Sequence, residues 1–200
     1  MPWDRNTILR IHFFGDSLTA GCGAPFGKGW VALLSKAYPE VACINHGVCG
    51  NLFQDMIEEI YPFLSRAEPC EGFFLMGGTN DILSAVRLSW LTDLAEKKIP
   101  LLAKAVPLTL GLPPLPTKTS CFTGWQSEDS YEQNRKDLSQ WNGFLKTLGH
   151  SLSIPWIDFS AAFPQDDRFY CDGLHPNAEG YTLCFKAAAS VFFPASKSNP

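Results

Sequence analysis

A serine follows Gly-Asp at position 17, an aspartate and a histidine stand three residues apart at 172 and 175, and an asparagine follows Gly-Gly-Thr at 80. These residue types suffice for acyl transfer. A serine hydroxyl is a weak nucleophile until an imidazole takes its proton, and a carboxylate can hold that imidazole in the required tautomer. Ser17, His175 and Asp172 can fill those three roles. The backbone N–H groups of Ser17 and Gly50, with the side-chain amide of Asn80, can donate to a developing oxyanion.

Each signal is weak alone. Ser17 could be a helix cap, Gly47 and Gly50 could serve turns needing positive φ, and Asn80 could cap the helix that follows. Asp172 and His175 could form a structural ion pair. With Cys171 beside them they even suggest a metal site, but further ligands at suitable spacing are lacking, so no metal is expected. Asp16 adjoins Ser17, which points the two side chains apart, so it reads as a turn residue.

The elements that must position these residues alternate short strand-like runs with longer helical ones. Strands are expected over residues 7–14, 41–45, 72–76, 107–112 and 154–159. Helices are expected over 29–38, over a stretch opened by Asn51 and Gln54 as a capping box, over 84–105 with Pro100 breaking it or starting a new turn, over 131–148 and over 178–193. Residues 113–130 show no periodicity and read as a long loop. Strands separated by helices imply a parallel sheet covered on both faces, a three-layer α/β/α sandwich. The whole chain, 1–200, reads as one domain with a short lead at 1–6 and a polar tail at 194–200. In such a sheet ligands bind beyond the carboxyl ends of the strands, and the four clusters carrying Ser17, Gly50, Asn80 and Asp172–His175 all fall in such loops.

Composition narrows the partners. A net charge of −4, with no run of Lys or Arg, argues against nucleic acid and anionic membrane surfaces. No apolar stretch is long enough to span a membrane, so integral membrane association is not expected, and the first apolar run is too short and polar for a signal sequence. A cytoplasmic location is the expectation. Seven cysteines, with no C-x-x-C pair, read as free thiols in a reducing compartment. Oligomeric state is not legible.

Gly15-Asp16-Ser17-Leu18, Gly50, Gly78-Thr79-Asn80-Asp81 and Asp172-Gly173-Leu174-His175-Pro176 together resemble the blocks of the GDSL-type, or SGNH, hydrolases, a family of lipases and esterases. The resemblance runs in order from residue 14 to about residue 183. It implies a flavodoxin-like, five-stranded parallel sheet, hydrolysis of ester or thioester bonds, and no metal or organic cofactor. It also implies Ser17, Asp172 and His175 as triad, and Ser17, Gly50 and Asn80 as oxyanion donors. The arrangement differs from the α/β-hydrolase pattern, because Thr19 stands where G-x-S-x-G needs its last glycine.

Leu18, Asp81, Trp125 and Leu174 are expected to line the substrate site, with Trp125 and Phe122 supplied by the 113–130 loop. That loop is too short to enclose a long chain, so the expected substrate is a small ester of a short acyl group, acetylated sugars included. His12 reads as a satisfied core or sheet-face histidine, and His46 as a loop-surface residue, with a place lining the site as its alternative. Two rivals stand beside the esterase reading. An O-acyltransferase would use the same triad with a sugar or alcohol acceptor. A non-enzymatic flavodoxin-like module binding phosphate or a nucleotide would leave Asp172, His175 and Asn80 unexplained, and no P-loop is present.

Overall fold

The computed structural model describes residues 7–194 apart from 163 and 165; the N-terminal lead and residues 195–200 of the tail lie outside the described residues. The strands are β1 (Arg10–Gly15), β2 (Ala42–Gly47), β3 (Glu71–Met76), β4 (Leu108–Leu112) and β5 (Trp156–Asp158). They form one sheet in the order β2-β1-β3-β4-β5, every pair parallel. This is the flavodoxin-like order, as expected. The helices are α1 (Ser17–Ala20), α2 (Trp30–Ala37), α3 (Phe53–Leu64), α4 (Thr79–Leu83), α5 (Leu88–Ala105), α6 (Thr119–Phe122), α7 (Glu128–Leu152), α8 (Phe159–Ala162) and α9 (Ala178–Phe192). None among the described residues is long and apolar enough to cross a membrane.

Strand alternation makes the two cores. On one face Phe14, Phe73, Leu75, Leu108 and Leu110 pack under α3, α5 and α7. On the other, Ile11, Phe13, Phe74, Met76 and Ile157 meet α2 and α9. Successive residues of β1 and β3 thus serve opposite layers, as a period of two requires.

Several expectations need correction. The expected 84–105 helix starts later: α4 ends at Leu83, a turn with Ala85 at φ 61° follows, and α5 then runs from Leu88 to Ala105 unbroken through Pro100. A helix-interior proline costs about 3 kcal/mol. Leu91, Ala95, Ile99 and Leu102 are all fully buried on the α5 face, and each large aliphatic side chain recovers roughly 1.5–3 kcal/mol. Packing wins. The capping box at Asn51 does not form: Asn51 Nδ2 donates to Glu59, Gln54 to Glu58, and the Phe53 N–H goes to Asp81 Oδ2 at 3.0 Å. A carboxylate from α4 therefore caps α3 through space. The 113–130 segment contains α6, and α7 begins at Glu128, capped by Ser127, whose hydroxyl accepts the Ser130 N–H. Its first turn is polar and acidic, so it suits a helix start yet shows no apolar period.

His46 is not a loop residue. It lies in β2, its ring stacked on Phe14 at 4.5 Å and bonded to His12, with ring nitrogens 2.8 Å apart. The cysteines also depart from expectation. Cys22 and Cys49 meet as a disulfide, because the end of the nucleophile loop and the loop after β2 converge, while Cys43, Cys70, Cys121, Cys171 and Cys184 are free.

Candidate active site

The nucleophile turn is built at the end of β1. Asp16, in extended conformation, accepts the Leu18 N–H at 2.9 Å and so caps the short α1. Ser17 opens that helix, and its own N–H has no acceptor among the described residues, as befits a first-turn donor. The helix lies against the end of β2 because residue 47 is glycine; a Cβ there would collide with the Ala20 backbone. Asn45 clamps the same junction, donating to Thr19 O at 2.9 Å and accepting the Gly47 N–H at 2.8 Å.

His175 arrives from the other end of the chain. A loop pinched by the Tyr170–Pro176 bridge and by the Cys171 N–H to His175 O bond holds it ahead of α9. His175 Nε2 lies 2.9 Å from Ser17 Oγ, and its Nδ1 lies 2.8 Å from Asp172 Oδ2. Both Ser17 and His175 are about nineteen-twentieths buried. Asp172 Oδ1 accepts the backbone N–H groups of Leu174 and His175 at 3.0 and 2.7 Å. Burial pushes the Asp172 carboxyl up, but the His175 imidazole and these N–H groups outweigh it and hold it below the usual carboxylate range. An ionised Asp172 accepts a hydrogen bond from Nδ1–H, which fixes the tautomer whose Nε2 lone pair faces the serine O–H.

In the loop after β2, Gly50 sits at φ 82°, exposed, with an N–H that meets no acceptor among the described residues. Asn80, in the first turn of α4, donates one amide hydrogen to Asn51 O at 3.0 Å. The second amide hydrogen of a primary amide is then available. Below them Trp141 of α7 donates to Gly77 O at 2.8 Å and fills the space that a Cβ on Gly78 would need, where φ is 103°.

Of the four residues expected to line the substrate site, Trp125 borders the triad with its side chain, half exposed, its ring edge-on to His175 at 4.8 Å. Leu18 points inward and packs in the core beside Trp30, Asp81 is buried as the cap of α3, and Leu174 is buried. The 113–130 segment is stitched to the acid loop rather than free: Thr117 N–H donates to Gly173 O at 2.8 Å and Thr123 Oγ1 to Asp172 O at 2.6 Å. Sequence reasoning missed the indole donors of Trp125 and Trp141 and the capping carboxylate of Asp81. A tryptophan in a polar, aperiodic loop was the one available hint. Among the described residues no cluster of three His, Cys, Asp or Glu side chains could hold a metal ion.

A serine–imidazole–carboxylate chain can open an ester, and the comparisons agree. The family model described as GDSL-like lipase/acylhydrolase matches residues 13–183, so the chain belongs to that family and is a carboxylic ester hydrolase. Comparison with curated proteins gave no match. Among solved structures it is similar to a member of the lipolytic G-D-S-L family from Veillonella parvula, at 28% identity and a TM-score of 0.79, over 92% of this chain and 97% of that one. It shares its fold with a catalytic mutant of an acetylxylan esterase from Geobacillus stearothermophilus, at 19% identity and a TM-score of 0.71, over 92% and 94%. A carbohydrate acetylesterase family member from Sinorhizobium meliloti is 16% identical, with a TM-score of 0.73, over 92% and 99%.

Proposed function

We propose that this chain hydrolyses esters of short acyl groups through an acyl-enzyme on Ser17. The continuous hydrogen-bonded path from Ser17 Oγ through both nitrogens of His175 to Asp172 carries the reading. Ser17 Oγ attacks the acyl carbonyl carbon as its proton passes to Nε2. The carbonyl oxygen becomes an oxyanion, met by the N–H groups of Ser17 and Gly50 and by the Asn80 amide. Collapse breaks the bond to the alcohol oxygen, which leaves with the proton from Nε2. Water then repeats the sequence on the acyl-enzyme, releasing the acid and restoring Ser17.

The acyl size follows from the loops. Residues 113–130 are tied down to the acid loop and to α7, so they leave little free chain to wrap a long acyl tail. The names of two of the structural relatives, an acetylxylan esterase and a carbohydrate acetylesterase, favour acetyl groups on sugars as the first substrates to try. Ser17→Ala assayed on p-nitrophenyl acetate tests the chemistry. The variant should fold normally and lose turnover; wild-type rates in it would overturn the proposal. A chain-length series should peak at short acyl groups, and higher kcat/KM on palmitoyl than on butyryl esters would overturn the size assignment.

A further inference from the structure

The indole N–H of Trp125 lies 2.8 Å from Asp172 Oδ2, the oxygen that also faces His175 Nδ1. We propose that Trp125 is a positioning residue for the triad, fixing the carboxylate of Asp172 and hence the imidazole of His175. The inference rests on the triad reading above and adds to it a member supplied by another part of the chain.

The Asp172 carboxylate receives four N–H donors. Oδ1 takes two backbone N–H groups of its own loop, and Oδ2 takes His175 Nδ1 and Trp125 Nε1. A carboxylate turns easily about its last torsion, because that torsion is broad. The backbone donors pin one oxygen, so the second is set by the imidazole and the indole together. Of these two, the imidazole is the group whose charge changes during turnover. An indole N–H only donates and does not titrate, so it holds Oδ2 through every protonation state of His175.

The support behind Trp125 fits that role. Its backbone N–H donates to Ser120 O at 3.0 Å, Gln126 Nε2 donates to Ser120 Oγ at 2.7 Å, and Asn134 of α7 donates to Gln126 at 2.9 Å. Gly173 lets this segment approach, since a Cβ there would collide with the Ser120 backbone. The indole is thus referenced to the long helix α7 as well as to the acid loop, to which Thr117 and Thr123 tie the same segment. Trp125 is 45% exposed, so filling the core does not account for it. Its edge-on contact with the imidazole limits rotation of that ring as well.

The test is a cycle of Trp125→Phe, Asp172→Asn and the double variant, with kcat and KM on p-nitrophenyl acetate. A benzothiophene analogue of tryptophan at position 125 removes only the N–H and keeps the ring shape. Hydrogen bonds to charged groups set the scale, so both 125 variants should lower kcat by about 10- to 100-fold with KM changed less than about twofold. In the Asp172→Asn background Trp125→Phe should cost nothing further. Loss of the same factor in that background would overturn the inference, since Trp125 would then act without Asp172. A raised KM with unchanged kcat would also overturn it, making Trp125 a substrate contact. Full activity in Asp172→Asn would remove the triad reading itself, and this inference with it.

Discussion

Asp16 and Asp172 are both carboxylates beside the nucleophile turn, and their surroundings drive them in opposite directions. Asp172 is held ionised, since hydrogen bonds from His175 and Leu174 outweigh its burial. Asp16 is almost wholly enclosed; burial, reinforced by the charge of Asp81 and opposed by the Leu18 N–H, pushes its carboxyl up to about 7. A carboxyl that titrates higher folded than unfolded favours the fold while protonated. Its contribution is complete below the ordinary carboxylate range and is lost as pH rises through about 7. Asp16→Asn keeps an oxygen for the Leu18 N–H and removes the titration. Its melting temperature should therefore gain on wild type by a few degrees between about pH 5 and about pH 8. A constant gap between the two proteins across that range would contradict the shifted carboxyl. Asn80 gives a second test at this scale. Asn80→Ala should lower kcat by roughly 10²–10³ with little change in KM, the usual loss for one oxyanion donor. A change confined to KM would make Asn80 a binding residue instead.

Elements hold these residues by contacts that cross between layers. Trp141 is the clearest case: one side chain of α7 fills the space beneath Gly78 and donates to Gly77 O, and so shapes the turn that carries Asn80. Trp141→Phe keeps most of the packing and removes the donor. It should cost about 0.5–1.5 kcal/mol in denaturant unfolding and lower kcat more than it raises KM. Unchanged stability and rate would show that the turn needs no such support. Periodicity made these helices and strands legible, and the strand-end clusters made Ser17, Gly50, Asn80, Asp172 and His175 legible as a set. The missing parts are all partnerships through space. Asp81 caps a helix that starts 28 residues before it, and the Trp125 indole reaches an aspartate 47 residues on. No local pattern encodes either pairing. The same holds for Cys22 and Cys49, whose 27-residue separation says nothing of their meeting. Pro100 misled for a different reason, because helix propensity is a local term and the buried face of α5 is a tertiary one.

For the whole molecule, the strand order explains why distant motifs converge. The chain leaves β1 for β2 on one side and returns to β3 on the other, so the carboxyl ends of β1 and β3 face a crevice where the winding reverses. Ser17 follows β1, Asn80 follows β3, Gly50 follows β2, and the C-terminal loop closes over them with Asp172 and His175. The weakly negative chain, at −4, suits a neutral ester better than a polyanion. The proposed mechanism depends above all on Ser17 Oγ as the nucleophile. A fluorophosphonate tests this most directly, because attack by an activated serine expels fluoride and leaves a stable phosphonyl ester whose mass can be read on the intact protein. A single adduct, mapped to the peptide holding Ser17, should form in step with loss of esterase activity and should not form in His175→Ala. Activity lost with Ser17 unmodified, or retained in full with Ser17 blocked, would contradict it.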